Sequence, residues 1–390
     1  MRVVVVASLA YSLVNFRGQL LADMVAAGHE VIACAPDDDP QVRARLADMG
    51  VALRRVPMAR VGLNPLVDLG TLRALVALLR AERPEVVLAY TQKPIIYAGL
   101  AARLTRTRFY AMVSGLGHVY GEDASPRMRL LRRGVSLLYR AAVREARAVF
   151  VFNRDDRAEM LRHAIVVPDA RVIQVPGSGV DVTRFAGTTP PPGPVFLMIA
   201  RLLRAKGVDD FVAAARAVRA RYPQARFRLL GPTDPGPDGV TAGEIARWAE
   251  EGVIDYLGET RDVRPFLAEA SVFVLPSWYR EGLPRTILEA MASGRAVITT
   301  DRPGCRDPID QGANGLVVPA RDPAALAAAM ERFCADPALA SRLGAVARRV
   351  ATERYAVERV NRLLLDTMEL SATRPDTAAA AGPAFAEAAA

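Results

Sequence analysis

The sequence predicts an α/β protein built as two doubly wound, Rossmann-like domains that face each other across a cleft. Three observations lead there. At 390 residues the chain exceeds one ordinary core, so two domains of roughly 180 residues are expected. Apolar strand-like runs alternate with helix-like segments, the pattern of a parallel sheet wrapped by helices. The alternation stops at GTTPPPGP, residues 187–194, which can neither pair in a sheet nor continue a helix, and then restarts.

In the first half the runs Val3–Ala7, Val31–Ala35, Val86–Ala89, Phe109–Val113, Val149–Phe152 and Val172–Val175 read as strands, with an amphipathic helix at Phe16–Ala27 closed by Gly28. After the break come strands at Val195–Ile199, Phe227–Leu230, Val253–Leu257, Val272–Leu275, Val297–Thr300 and Leu316–Val318, with helices near Gly207–Arg221 and Pro284–Ser293. The division is therefore a first domain of 1–186, a linker of 187–194 and a second domain of 195–370, whose last helix is a candidate to pack back on the first. Residues 371–390, SATRPDTAAAAGPAFAEAAA, are low-complexity and expected to be disordered. Ligands of such sheets bind beyond the carboxyl ends of the strands where strand order reverses, so the cleft is the expected site.

Composition narrows the class. With 51% apolar and 24% charged residues the chain suits a soluble globular protein, and no apolar run reaches the roughly 18 residues of a membrane span. The start, MRVVVVASLAYSLV, has the charge and apolar stretch of a secretory signal but no small-residue cleavage site. Cys34, Cys305 and Cys334 are odd in number, far apart and without a CxxC pair, which fits a reduced cytosolic setting and no structural metal. The glycines of GLGHVYG, Gly115, Gly117 and Gly121, follow a middle strand and lack the acidic partner of a dinucleotide fingerprint, which argues against a nicotinamide cofactor.

The net charge of +9 lies entirely in the first half: residues 1–185 hold 26 Lys+Arg and 17 Asp+Glu, against 25 of each in the remainder. The first domain is thus expected to face a polyanion. In the segment 126–147, PRMRLLRRGVSLLYRAAVREAR, helical spacing groups Arg129, Arg133, Arg140, Arg144 and Arg147 in a stripe of about 60°, with Leu130, Leu131, Val135, Leu138 and Ala142 on the other side. Such a helix fits either a solvated arginine face over a core or docking on an anionic membrane surface. Nucleic acid is disfavoured, since no recognition motif, stacking platform or zinc spacing accompanies the charge.

The most specific segment is PSWYREGLPRTILEAMASG, residues 276–294. Pro284 suits the first turn of a helix and Gly294 its end, placing Glu281 in the loop before the helix and Glu289 within it. Free N–H groups around Pro284–Thr286 would offer a phosphate-binding helix start, with Glu289 toward ribose hydroxyls and Glu281 beyond the phosphates. Spacing alone equally allows both glutamates to be surface charges. Only two of the 51 basic residues are lysines, Lys93 and Lys206, so lysine at 206 suggests that a compact ammonium is wanted there.

EGLPRTILE is similar to the E-x7-E signature of retaining family 4 glycosyltransferases, in the matching context of PS-x-x-x-EG before it and EAMASGRAVITTD after it. ARLLRAKG at 200–207 and NGLVVPARDP at 314–323 extend the resemblance to about residue 365. It implies the GT-B fold and transfer from a nucleoside diphosphate sugar with retained configuration. It also implies Arg201 and Lys206 on the donor diphosphate, with Glu281 and Glu289 as above and Gly282, Leu283, Pro284 and Arg285 framing the donor. His118 matches a position where many relatives contact the donor sugar. In SLVNFRGQLL, Gly18 is the one glycine where the family usually carries a pair beneath the diphosphate, and Asp307 stands where relatives usually carry glutamate.

NFRGQLL, TQKPIIYAGLAARL and VSGLGHVYG resemble the bacterial subgroup that extends undecaprenyl-diphosphate-linked sugars for O-antigen, capsule or protein glycans. That implies a UDP-hexose or UDP-N-acetylhexosamine donor, a lipid-linked acceptor and peripheral attachment to the anionic cytoplasmic face of the inner membrane. Arg17 and Lys93, with Arg129, Arg133, Arg140 and Arg144, are the candidate acceptor or membrane contacts. The DDD run at 37–39 reads as a solvated loop rather than a metal clamp, so no metal or cofactor is called for, and the leaving-group charge falls to Arg201, Lys206 and the helix start. The competing readings are a sugar-nucleotide epimerase of the same fold and a catalytically silent membrane-associated scaffold.

Overall fold

The computed structural model describes residues 1–59, 62, 64–121 and 125–372. Its first sheet comprises β1 (Arg2–Val6), β2 (Glu30–Ala35), β3 (Val51–Arg55), β4 (Val86–Tyr90), β5 (Arg108–Val113), β6 (Ala148–Val151) and β7 (Val172–Gln174), in the order β3-β2-β1-β4-β5-β6-β7. The second comprises β8 (Val195–Ile199), β9 (Arg226–Leu230), β10 (Asp255–Tyr256), β11 (Val272–Leu275), β12 (Ala296–Thr300) and β13 (Gly315–Val318), in the order β10-β9-β8-β11-β12-β13. Neighbouring strands are parallel throughout. Central strands such as VVVV and VFLMI are buried on both faces, as sheets covered by helices on each side require. Strand order reverses between β1 and β4 and between β8 and β11, which opens a crevice at the carboxyl ends of each sheet.

Two strands differ from expectation. β3, VALRR, lies at the sheet edge with Arg54 and Arg55 exposed, so it lacks the unbroken apolar run that marks the central strands. β10 is shorter than Val253–Leu257 because Val253 and Ile254 pack into the core outside the ladder. The first helix, Ala10–Ala26, begins six residues ahead of Phe16. Leu9 supplies no side-chain cap, and Asp37 does so from another loop, its Oδ1 accepting from the Ala10 N–H at 2.9 Å. Asp39 caps the Pro40–Asp48 helix, accepting from Gln41 at 2.8 Å, and Asp38 pairs with Arg43 at 2.7 Å. The acidic run at 37–39 lies in the loop after β2, as expected, with Asp38 exposed, and Asp37 and Asp39 in addition cap helices.

The chain crosses between the sheets at 187–194 and returns after Tyr355. Val180 donates to the Tyr355 carbonyl at 2.8 Å and accepts from Val357 at 3.0 Å. The Val357–Met368 helix then packs on the first helix, where Asn361 Nδ2 donates to Asp23 at 2.7 Å, and Glu369 just beyond it pairs with Arg108 at 3.0 Å. The tail from 373 onward lies outside the described residues.

The basic helix spans Pro126–Val143 and buries Val135, Tyr139, Ala142 and Val143, packing on the Gln92–Thr105 helix. Arg129, Arg133, Arg140 and Arg144 are exposed. Leu130 and Leu138 are exposed too, against expectation. The buried stripe is centred on Val135, Tyr139 and Ala142, so Leu130 and Leu137, 72% and 67% exposed, flank the arginines on the outward side. No helix among the described residues is long and apolar enough to cross a membrane.

Candidate active site

The site begins with the turn after β8. Gly207 has φ +79°, and a Cβ there would meet the Pro276 carbonyl oxygen at 2.1 Å, so glycine is what lets this turn lie against the loop after β11. The Ala205 carbonyl accepts from the N–H groups of Trp278 and Tyr279, both at 3.0 Å. Docking the turn in this way places the Lys206 ammonium in an ion pair with Glu281 Oε1, beside the Tyr279 ring at 5.3 Å. Glu281 accepts in addition from Ser277 Oγ at 3.0 Å. Arg201, half exposed, pairs with Asp234 at 3.2 Å.

The loop carrying Glu281 is fixed from the opposite domain. Asn153 Nδ2 donates to the Gly282 carbonyl at 2.7 Å, and Arg280 pairs with Glu159 at 2.6 Å. A Cβ on Gly282 would meet the Ser114 carbonyl oxygen at 2.4 Å, so the two domains touch backbone to backbone here. Gly115, at φ +107°, is the other half of that contact, which accounts for part of the glycine cluster in GLGHVYG.

Between the sheets lies a cleft of about 440 Å³. The second domain lines it with Arg201, Lys206, Glu281 and the 282–286 segment, and the first with Ser8, Ser12, Arg17, Tyr90, Thr91 and Phe152. Ser8 and Thr91 follow β1 and β4, the strands at the order reversal, and share a hydrogen bond of 3.0 Å. Thr91 holds φ +68°, a conformation that costs a β-branched residue about 1–3 kcal/mol. Sequence reasoning missed these polar residues, although their position directly after strand ends was the available signal. A wider depression of about 710 Å³ beside residues 187–190 contains none of the predicted site residues.

Comparison with known proteins agrees with the two-sheet fold. The family model described as "Glycosyl transferase 4-like domain" matches residues 15–177, and "Glycosyl transferases group 1" matches residues 193–336. The chain belongs to the group 1, family 4-like glycosyltransferases. It is 27% identical over 320 residues to N,N'-diacetylbacillosaminyl-diphospho-undecaprenol alpha-1,3-N-acetylgalactosaminyltransferase of Campylobacter jejuni, covering 78% of this chain and 82% of that protein. Two solved structures show the GT-B fold at low identity. Anabaena HepE in complex with UDP has a TM-score of 0.77 at 16% identity, covering 95% of this chain and 100% of that one. Sucrose-phosphate synthase from Thermosynechococcus elongatus has a TM-score of 0.76 at 20% identity, covering 95% and 98%.

The glycosyltransferase thus gathers Arg201, Lys206, Glu281, Gly282, Leu283, Pro284 and Arg285 around one cleft. Pro284 is the N-cap residue rather than part of the first turn, and the helix runs Arg285–Ala292. Arg285 reaches across to the first domain, donating to the Asn15 carbonyl and lying 5.6 Å from the Phe16 ring. Its Nε also donates to Glu289 at 2.8 Å. Glu289, 9% exposed, does not line the cleft volume, and burial raises its carboxyl pKa against the opposing pull of Arg285.

Two candidates, Gly18 and Lys93, lie elsewhere than expected. Gly18 is inside the Ala10–Ala26 helix and away from the cleft, because the early helix start leaves Ser8 and Leu9 as the loop that faces it. Lys93 is not a surface cation but pairs with Asp68 at 2.8 Å, both largely buried where two helices meet. Arg17 is buried at the cleft, 4% exposed, which fits the acceptor alternative of its expected role and not the membrane one. His118 opens a short 3-10 turn, His118–Tyr120, and its side chain lies outside the described residues. Asp307 accepts from its own loop, from the Gly304 N–H at 2.7 Å.

Asp156, beside Asn153, carries a pH signature. Burial pushes its carboxyl up to about 7 from an ordinary 3.8, with Arg280 opposing. Because the folded value is the higher one, the stability this group retains when protonated is full below about pH 4 and is lost as pH rises through about 7, on the order of 4 kcal/mol. The Tm of the wild type is therefore expected to fall relative to that of Asp156→Asn between pH 5 and pH 8. A Tm difference that stays constant across that range would remove Asp156 as the titrating group.

Proposed function

We propose that this glycosyltransferase moves a hexose or N-acetylhexosamine from a UDP-sugar, with retention, to a saccharide carried on undecaprenyl diphosphate at the cytoplasmic face of the inner membrane. The observation that carries the reading is the cleft's charge: Arg17, Arg201, Lys206 and Arg285 line it against one carboxylate, Glu281. Arg201 and Arg285 are also paired behind the lining, with Asp234 and Glu289, but the side chains that face the cleft are predominantly cationic, which suits a nucleoside diphosphate donor. The lipid-linked acceptor is supported by the name of the Campylobacter relative, which extends a diphospho-undecaprenol-linked sugar.

In this reading the anomeric carbon's bond to the diphosphate breaks, and a bond to the acceptor oxygen forms on the same face. The acceptor proton passes to the departing diphosphate. Arg201 and Lys206 meet the charge that develops on that group, worth several kcal/mol when held in place beforehand. As Lys206 turns to the diphosphate, Glu281 is released toward the sugar, where positive charge builds. Release of UDP from a panel of UDP-hexoses and UDP-N-acetylhexosamines on adding a lipid-linked acceptor tests the donor and acceptor classes. NMR of the product tests retention, and an inverted linkage or no UDP release would end the proposal.

Membrane attachment rests on the Pro126–Val143 helix, whose outward face carries Arg129, Arg133, Arg140 and Arg144 beside Leu130 and Leu137. Each cation near an anionic surface contributes about 1 kcal/mol that salt screens, and the leucines add apolar insertion. Anionic vesicles are expected to retain the protein at low salt and release most of it at high salt. Equal retention by neutral vesicles would contradict the electrostatic part.

A further inference from the structure

Arg17 is a charge that the fold buries without a counter-charge. It projects from the Ala10–Ala26 helix among apolar neighbours Leu13, Leu20 and Leu21, yet it is not needed to fill a core, because its tip reaches the cleft. Its guanidinium lies 5.2 Å from the Tyr90 ring centroid and 5.6 Å from that of Phe152. Its Nε is buried and unpartnered, and no hydrogen bond or ion pair to Arg17 occurs among the described residues. The charged side chain that acts on it, Arg285, has the same sign, and burial with Arg285 lowers the Arg17 pKa to about 10.

An isolated buried cation destabilises a fold, and two aromatic faces offset only part of that cost. What they do instead is hold the planar fork in one orientation, the geometry suited to two oxygens of one phosphoryl group. Of the four cations that line the cleft, Arg201, Lys206 and Arg285 each pair with a carboxylate, Asp234, Glu281 and Glu289. Arg17 is the one left without an anionic partner among the described residues, and so the one with its fork open to a phosphoryl group.

We propose that Arg17 receives a phosphoryl oxygen of a bound substrate, so that the first domain contributes a phosphate contact of its own across the cleft from Arg201 and Lys206. The identity of that substrate rests on the functional reading above. The phosphoryl group belongs either to the donor diphosphate or to the diphosphate of the acceptor.

The test compares wild type with Arg17→Met and Arg17→Lys. Without ligand, Arg17→Met should have a Tm equal to or above wild type, because it keeps the volume and removes the unpaired charge; a structural arginine would give the opposite. Inorganic diphosphate should raise the Tm of wild type and not that of Arg17→Met, a readout independent of any sugar nucleotide. If the donor is the source, calorimetric UDP affinity falls about 10- to 100-fold in Arg17→Met while uridine affinity holds, and Arg17→Lys lies between. If the acceptor is the source, UDP affinity holds and KM rises about 10-fold or more for a diphosphate-linked acceptor but not for the same saccharide on a neutral alkyl group. Unchanged diphosphate protection, UDP affinity and acceptor KM in Arg17→Met overturn the proposal. Failure of the wild type itself to bind UDP strikes the functional reading instead, and leaves the diphosphate readout to decide on Arg17.

Discussion

Replacing Lys206 by Ala is expected to lower kcat/KM by at least ~100-fold, the scale of losing one donor held ready for leaving-group charge. The structure sharpens the reason. Lys206 sits on a turn that Gly207, Pro276 and the Ala205 carbonyl lock against the loop carrying Glu281, so its backbone is fixed at the cleft and its ammonium has only a short swing from Glu281 to a bound diphosphate. Removing it also leaves Glu281, mostly buried, without its cation, which adds a carboxylate that repels the diphosphate. Lys206→Ala should therefore lose donor affinity as well as turnover, whereas Arg201→Ala, at a half-exposed position shared with Asp234, should lose less. Initial rates against donor concentration measure both, and near wild-type kcat/KM in Lys206→Ala would place the diphosphate somewhere else.

Glu281→Gln is expected to cut kcat by about 100-fold and leave UDP affinity unchanged or slightly tighter. Glutamine keeps the bond from Ser277 and the side-chain size but no longer competes with the donor for Lys206. Glu289→Ala is expected to do the reverse, weakening UDP by about 1–3 kcal/mol through a loosened Arg285, which Glu289 holds at the cleft. It should also lower the Tm, since Arg285 bridges to Asn15 from the same position. Calorimetric titration with UDP, paired with rates on a lipid-linked acceptor, separates the two roles. Equal losses of UDP affinity would sink this division of labour.

Much of the fold was legible because parallel sheets buried on both faces write themselves as short apolar runs, and the runs at Val3, Val86, Val195 and Val272 all became central strands. β3 escaped notice for the converse reason: an edge strand ending in two arginines has no such run. The second domain's side of the cleft was legible as well, since Glu281 to Arg285 lie within one short segment whose loop and helix start are local features.

What the sequence by itself determined about this protein, then, is its two-sheet architecture, its family and the Arg201, Lys206 and Glu281 cluster. Only the tertiary structure decided how each charge is used. Lys206 and Glu281 are paired across 75 residues, Lys93 is neutralised by Asp68, and Arg17 is left alone between two rings. Helical spacing placed Leu130 and Leu138 opposite the arginines, yet which face is buried followed from where the neighbouring helix lies. The physical reason is the same in each case: periodicity and propensity are properties of a few consecutive residues, while burial and pairing depend on which distant surfaces the packed sheets bring together.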